Sequence, residues 1–139
     1  MKKRTPVSDI MTKNVITLNT TDDLEKAENL FKLHNIRHIP VVSGEAIIGM
    51  LSYTDLLRIS FADATDDQDS DVDTVVYNMF TIEQVMAKNL ISVSSSTTIK
   101  EVAELLSKKE FHALPVVDNN VLVGIVTTTD LINYLINQF

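Results

Sequence analysis

A chain of 139 residues with 45% hydrophobic and 22% charged residues has the composition of a folded protein, and its length lets it bury roughly two-thirds of its surface. Its net charge of −7 argues against a broad phosphate-binding face for DNA or RNA, and the lack of cysteine excludes disulfides, thiolate metal sites and a thiol nucleophile. No apolar run approaches the ~18 residues of a membrane span and the N-terminus has no signal-peptide core, so a cytoplasmic protein without membrane insertion is expected.

A shift of 75 residues lays 7–60 over 82–135 without a gap, with 12 identities in 54 positions. Met11 falls on Met86, Pro40 on Pro115, Gly49 on Gly124 and Asp55 on Asp130. The chain is therefore read as two copies of one supersecondary unit, 7–60 and 81–139, joined by 61–80.

Each copy opens with a short helical turn, Val7–Met11 or Ile82–Met86, followed by a brief strand, Val15-Ile16-Thr17-Leu18 or Leu90-Ile91-Ser92-Val93. A polar cluster then leads into an amphipathic helix, with apolar residues at Leu24, Ala27, Leu30 and Phe31 or at Ile99, Val102, Ala103 and Leu106. Thr98 and Glu101 have capping-box spacing. The second strand carries Ile39-Pro40-Val41-Val42 or Leu114-Pro115-Val116-Val117, and proline, lacking an N–H, is expected at its first residue or at an edge. Ser43-Gly44-Glu45 and Asp118-Asn119-Asn120 provide tight turns, in which Gly44 and Asn119 accept the left-handed conformation. The third strand, Ala46–Leu51 or Val121–Val126, runs into a final helix, so the order is β-α-β-β-α twice, an α/β (α+β) architecture.

The junction between third strand and final helix is the candidate site. It reads Gly49-Met50-Leu51-Ser52-Tyr53-Thr54-Asp55 and Gly124-Ile125-Val126-Thr127-Thr128-Thr129-Asp130. A hydroxyl and a carboxylate three residues apart form a capping box at a helix start, and a second hydroxyl beside each acid adds binding capacity. The helix N-terminus favours an anion, and Arg37, ahead of the first proline strand, suits phosphate. Between the copies, Asp63, Asp66, Asp67, Asp69, Asp71 and Asp73 have the look of a solvated loop. They lack the glycine and glutamate of a calcium-binding EF-hand loop. Val72–Phe80 is read as a turn or two of helix.

Ile/Leu-Pro-Val-Val and Gly-h-h-Ser/Thr-x-Thr-Asp-Leu (h apolar), each present twice and in register, with Asp9-Ile10-Met11-Thr12 and Gln84-Val85-Met86-Ala87 opening the copies, resemble a tandem pair of cystathionine-β-synthase (CBS) domains, a Bateman module. The resemblance implies two repeats packed through their sheets with pseudo-twofold symmetry. It also implies clefts for AMP, ADP, ATP or S-adenosylmethionine as a regulatory ligand, with no required cofactor. On it, Asp55 and Asp130 would accept the ribose hydroxyls, while Ser52, Thr54, Thr127 and Thr129 would bind ribose or phosphate. Backbone at Val15, Ile16, Leu90 and Ile91 would read adenine, and Arg37, His38, His112 and Ala113 would face phosphate. A homodimer that signals by conformational change to an effector protein in trans is expected.

Neither a catalytic constellation nor a metal-ligand spacing stands out, so no enzyme and no metal site is expected. Two other readings stay open: a structural or dimerisation module whose clefts are filled by its own side chains, such as Tyr53 or Phe111, and a magnesium or calcium sensor acting through the aspartates at 63–73.

Overall fold

Short polar residues start the helices where the apolar periodicity begins. In the computed structural model, which describes residues 4–63, 79–109 and 112–139, a 3-10 turn at Val7–Asp9 leads to β1 (Leu18–Asn19). Next come α1 (Leu24–His34), β2 (His38–Ser43), β3 (Ala46–Ser52), α2 (Tyr53–Asp63), α3 (Ile82–Val85), α4 (Ile99–Lys108), β4 (Ala113–Asp118), β5 (Val121–Thr127) and α5 (Thr128–Ile136). Asp23 caps α1 by accepting from the Lys26 amide at 2.8 Å, and Thr98, its counterpart 75 residues on, caps α4 by accepting from Glu101 N at 3.1 Å. Glu101 takes the Thr98 hydroxyl at 3.0 Å rather than its backbone N–H, so this box is half formed. A reciprocal box closes instead at Thr81 and Gln84, at the start of α3.

The strands form a three-stranded sheet in the order β1-β2-β3 and a two-stranded sheet, β4-β5, giving a mixed α/β fold. β1 runs parallel to β2, with Leu18 opposite Val41, and the second copy keeps only the equivalent single bridge, Val93 to Val116. The first strands of both copies are thus shorter than their apolar runs, and the prolines explain why. Val93 N donates to the Pro115 carbonyl at 3.1 Å and accepts at its own carbonyl from Val117 N at 2.8 Å. The next rung back would need an N–H from Pro115, which has none. Pro115 and Pro40 each stand third in their strands, not first, and Pro40 lies in the central strand of its sheet. Each faces the side where the parallel partner has already ended. The turn into β5 has Asn119 at φ 51° and Asn120 at φ 66°, the pair of left-handed residues that a tight hairpin requires, while Gly44 takes φ 65° in the first copy.

The chain divides into two compact units that do not coincide with the two sequence copies. One consists of 16–44 with 48–89, the other of 1–15 and 45–47 with 90–139. Each unit therefore takes its opening turn from the other copy. Val7, fully buried, joins Val93, Val102, Leu114, Val116 and Val126 in one core. Ile82, also fully buried, and Met86 join Leu18, Leu24, Phe31, Ile39, Leu51 and Leu56 in the other. Burying a side chain of this size stabilises by about 1.5–3 kcal/mol. Backbone pairs seal the exchange: Thr12 with Ile125 at 2.8 and 3.0 Å, and Met50 with Ala87 at 3.0 and 2.9 Å. Val7 N also donates to Thr97 O at 2.7 Å, and Ile99 N to Thr5 O at 2.9 Å.

The exchange explains both motif glycines. A Cβ on Gly49 would stand 2.2 Å from Met86 Sδ, and one on Gly124 would stand 2.6 Å from Met11 Sδ and 3.0 Å from the Thr12 carbonyl. Each glycine leaves the space its methionine fills. Gly49→Ala is expected to cost about 1–3 kcal/mol by overpacking. Combined with Met86→Ala, the total loss should fall short of the sum of the single losses by about 0.5 kcal/mol or more in urea unfolding. Strict additivity would contradict the contact.

At the end of β4, the Asp118 carboxylate accepts from the Ser95 hydroxyl and from the Ser95 amide, the latter at 3.0 Å. These bonds hold the acid below its ordinary value of 3.8, the hydroxyl contributing most. A depressed folded-state value means that the stabilisation is present above the unfolded value and is lost as pH falls through the folded one. Asp118→Asn should accordingly lower the melting temperature at neutral pH, and its gap to the parent chain should close as pH drops below 3.8. A gap of constant size down to strong acid would refute the ionic contribution.

Candidate functional site

Both third strands pass into their helices without an intervening loop, at Ser52-Tyr53 and Thr127-Thr128. This geometry puts the strand's last hydroxyl over the first turn of the helix. Ser52 Oγ accepts from Asp55 N at 3.0 Å, and Thr127 Oγ1 accepts from Asp130 N at 3.2 Å. One further bond ties each junction to the strand beside it. Tyr53 N donates to the Arg37 carbonyl at 2.9 Å, and Thr128 N to the His112 carbonyl at 3.0 Å. The residue ahead of each proline strand is thereby held next to the start of the helix.

The two acids differ in what they do. Asp130 folds back: its Oδ2 accepts from Thr127 N at 2.9 Å, completing a reciprocal capping box. Asp55 does not. Its Oδ1 lies 3.3 Å from Arg58 Nη1, one helical turn on, with the aspartate side chain 32% exposed and the arginine 74%. Beside Asp55 opens a cavity of about 480 Å³, lined by Asp55, Arg58, Ile59, Phe80, Gln84, Val85 and Ala87. That volume lies in the range of small-molecule sites. The wall is apolar at Ile59, Phe80 and Val85, with a carboxylate, a guanidinium and a carboxamide at hand.

Of the residues singled out from the sequence, Asp55 alone lines this cavity. Ile16, Arg37, His38, Ser52, Thr54 and Asp55 belong to one unit; Val15, Leu90, Ile91, His112, Ala113, Thr127, Thr129 and Asp130 belong to the other. Thr54 and Thr129 are exposed, Ser52 and Thr127 half-buried. Arg37 and His112 are exposed just ahead of β2 and β4, His38 is half-buried at the first position of β2, and Ala113 is buried at the first position of β4. Val15, Ile16 and Leu90 are half-buried and Ile91 exposed, all outside the strands. Tyr53 stacks on Phe31 with ring centres 5.1 Å apart, so its ring is part of the core wall; Phe111 lies outside the described residues.

The sequence reading assigned no site role to Arg58, Ile59, Phe80, Gln84, Val85 or Ala87. Arg58 had a signal, since a residue three after Asp55 shares its helix face. Ile59, four after Asp55, shares that face too, whereas Gln84, Val85 and Ala87 stood only in the motif that opens the second copy, and their place beside α2 depends on the exchange of opening turns. Among the described residues no group of three His, Cys, Asp or Glu side chains is disposed to hold a metal ion, and no helix is long and apolar enough to cross a membrane. The aspartates from 66 to 73, and all of 72–80 but Met79 and Phe80, lie outside the described residues.

The sequence pattern of the CBS domain matches residues 7–62 and again 82–137. The chain belongs to the CBS-domain family. As a CBS-domain pair it is 31% identical over 133 residues to the CBS domain-containing protein YhcV of Bacillus subtilis, covering 95% of this chain and 87% of YhcV. Longer curated relatives, among them archaeal homoserine O-acetyltransferases, are matched over 42% of their length or less. Among solved structures, a putative acetoin utilization protein (AcuB) from Vibrio cholerae superposes with a TM-score of 0.80 at 30% identity, over 96% of this chain and 91% of that one. The CBS domain pair of protein MJ0100, in complex with 5′-methylthioadenosine and S-adenosyl-L-methionine, superposes with a TM-score of 0.79 at 27% identity, over 97% and 98%.

The unequal acids predict unequal substitutions. Asp130→Ala removes one half of a capping box and should cost the unligated chain about 1 kcal/mol. Asp55→Ala removes only an exposed ion pair and should cost about 0.5 kcal/mol or less. Urea midpoints of the two variants test the order; the reverse order would contradict the geometry.

Proposed function

We propose that this CBS pair is a regulatory module that binds an adenosine-containing ligand beside Asp55 and passes the binding to a protein partner through a change of conformation. The observation that carries the reading is the pairing of a part-exposed carboxylate with a cavity of about 480 Å³ at a helix start. A carboxylate there accepts two sugar hydroxyls by charge-assisted bonds, each worth roughly 1.5–3 kcal/mol net. The flat apolar wall of Phe80, Ile59 and Val85 suits a purine ring. Support for adenosine as the class comes from MJ0100, whose CBS pair holds 5′-methylthioadenosine and S-adenosyl-L-methionine.

The second copy repeats the hydroxyl and the carboxylate at its helix start, with the acid already bonded. There, a sugar hydroxyl competes with the Thr127 amide for Asp130. The groups at the cavity bind and orient, and we assign them no catalytic step. On this reading the module works as a homodimer and regulates its effector in trans.

Titration calorimetry of the full chain with AMP, ATP, 5′-methylthioadenosine and S-adenosylmethionine tests the proposal. At least one is expected to bind, and Asp55→Ala should weaken it at least tenfold, the equivalent of about 1.4 kcal/mol. No heat with any of the four would overturn the reading.

A further inference from the structure

We propose that Arg58 makes the site beside Asp55 selective for phosphorylated adenosine ligands over uncharged or cationic ones; this deepens the adenosine reading and rests on it. Asp55 can accept both hydroxyls of a ribose while Arg58 stays 3.3 Å from its Oδ1, and the Arg58 guanidinium lines the same cavity with further donors to offer. A ligand without a phosphate leaves the remaining guanidinium donors to water. A phosphate supplies them with a second anion that the guanidinium fork grips bidentately.

The surroundings favour this contact. Arg58 is 74% exposed, so its side chain is free to turn from Asp55 toward a ligand. Long side chains on a helix lean toward its N-terminus, which brings Arg58 over the first turn of α2, where the helix dipole also favours an anion. Arg37, the cation singled out from the sequence, does not line this cavity. S-adenosylmethionine carries a sulfonium cation that Arg58 would repel. The second copy lacks the device: Asn133 stands where Arg58 stands in the first, and Asp130 is tied to Thr127. One chain therefore presents one junction with a cation placed for a phosphate and one without it.

AMP and adenosine differ only in the phosphate and form the decisive pair, to be titrated calorimetrically into the parent chain, Arg58→Gln and Arg58→Lys, with the melting temperature confirming that each variant folds. At the tighter site of the parent, AMP should bind at least about tenfold better than adenosine. Arg58→Gln should bring the two within about threefold while leaving adenosine binding unchanged or improved, and Arg58→Lys should restore part of the preference as a point charge. Equal binding by the parent, or a ratio that Arg58→Gln leaves unchanged, overturns this assignment and leaves the adenosine reading standing. If neither compound binds the parent and the four ligands above also fail, both fall together.

Discussion

Everything in this structure depends on two methionines seated on two glycines. Met86 fills the space that Gly49 leaves open, and Met11 fills the one at Gly124. These contacts, with the paired backbone bonds of Thr12 to Ile125 and Met50 to Ala87, hold the opening turn of each repeat in the core built by the other. One three-stranded repeat with two helices has too little apolar surface to close its own core, and the borrowed turn supplies the missing lid. The glycines are there for close approach rather than for unusual dihedral angles, since neither takes a positive φ.

The same exchange builds the candidate site. Asp55, Arg58 and Ile59 come from the helix of the first repeat, while Gln84, Val85 and Ala87 come from the opening turn of the second. The cavity exists because the turn docks beside α2. The duplicated junctions have meanwhile diverged within an unchanged backbone. Both keep a hydroxyl on the N3 amide, but the carboxylate caps its own helix in one and pairs with an arginine in the other. At the position three after each acid the first copy has Arg58 and the second Asn133.

Much of this was legible in the sequence because the chain states its pattern twice. The order of elements, the turns at Gly44 and Asn119, and the amphipathic faces of α1 and α4 come from period and turn chemistry acting locally. So does the Thr127–Asp130 capping box, which is closed by residues three apart. Three things were not legible. The first strands shortened because Pro40 and Pro115 lack a donor toward a parallel neighbour, and that depends on which side of the strand the neighbour lies. Asp55 left its cap for Arg58, a choice between two acceptable partners that differ by little energy. The exchange of opening turns was hidden for a deeper reason: a repeat maps each turn equally well onto either copy, so the sequence is silent on whose core it enters.

On the proposed function, the exchange also gives a route from ligand to partner. A ligand bound to Asp55 and Arg58 on one wall and to Gln84 and Val85 on the other would favour the state in which the borrowed turn is docked. A ligand shifts an equilibrium only by its difference in affinity for the two states. A site composed from two segments would supply such a difference, because undocking 84–87 would take Gln84, Val85 and Ala87 from its wall. Ala87 lies three residues before Leu90, where the chain enters the other unit. The backbone bonds of Met50 to Ala87 hold the turn in place, and on that proposal their strength would set how much of the docked state a ligand has left to select.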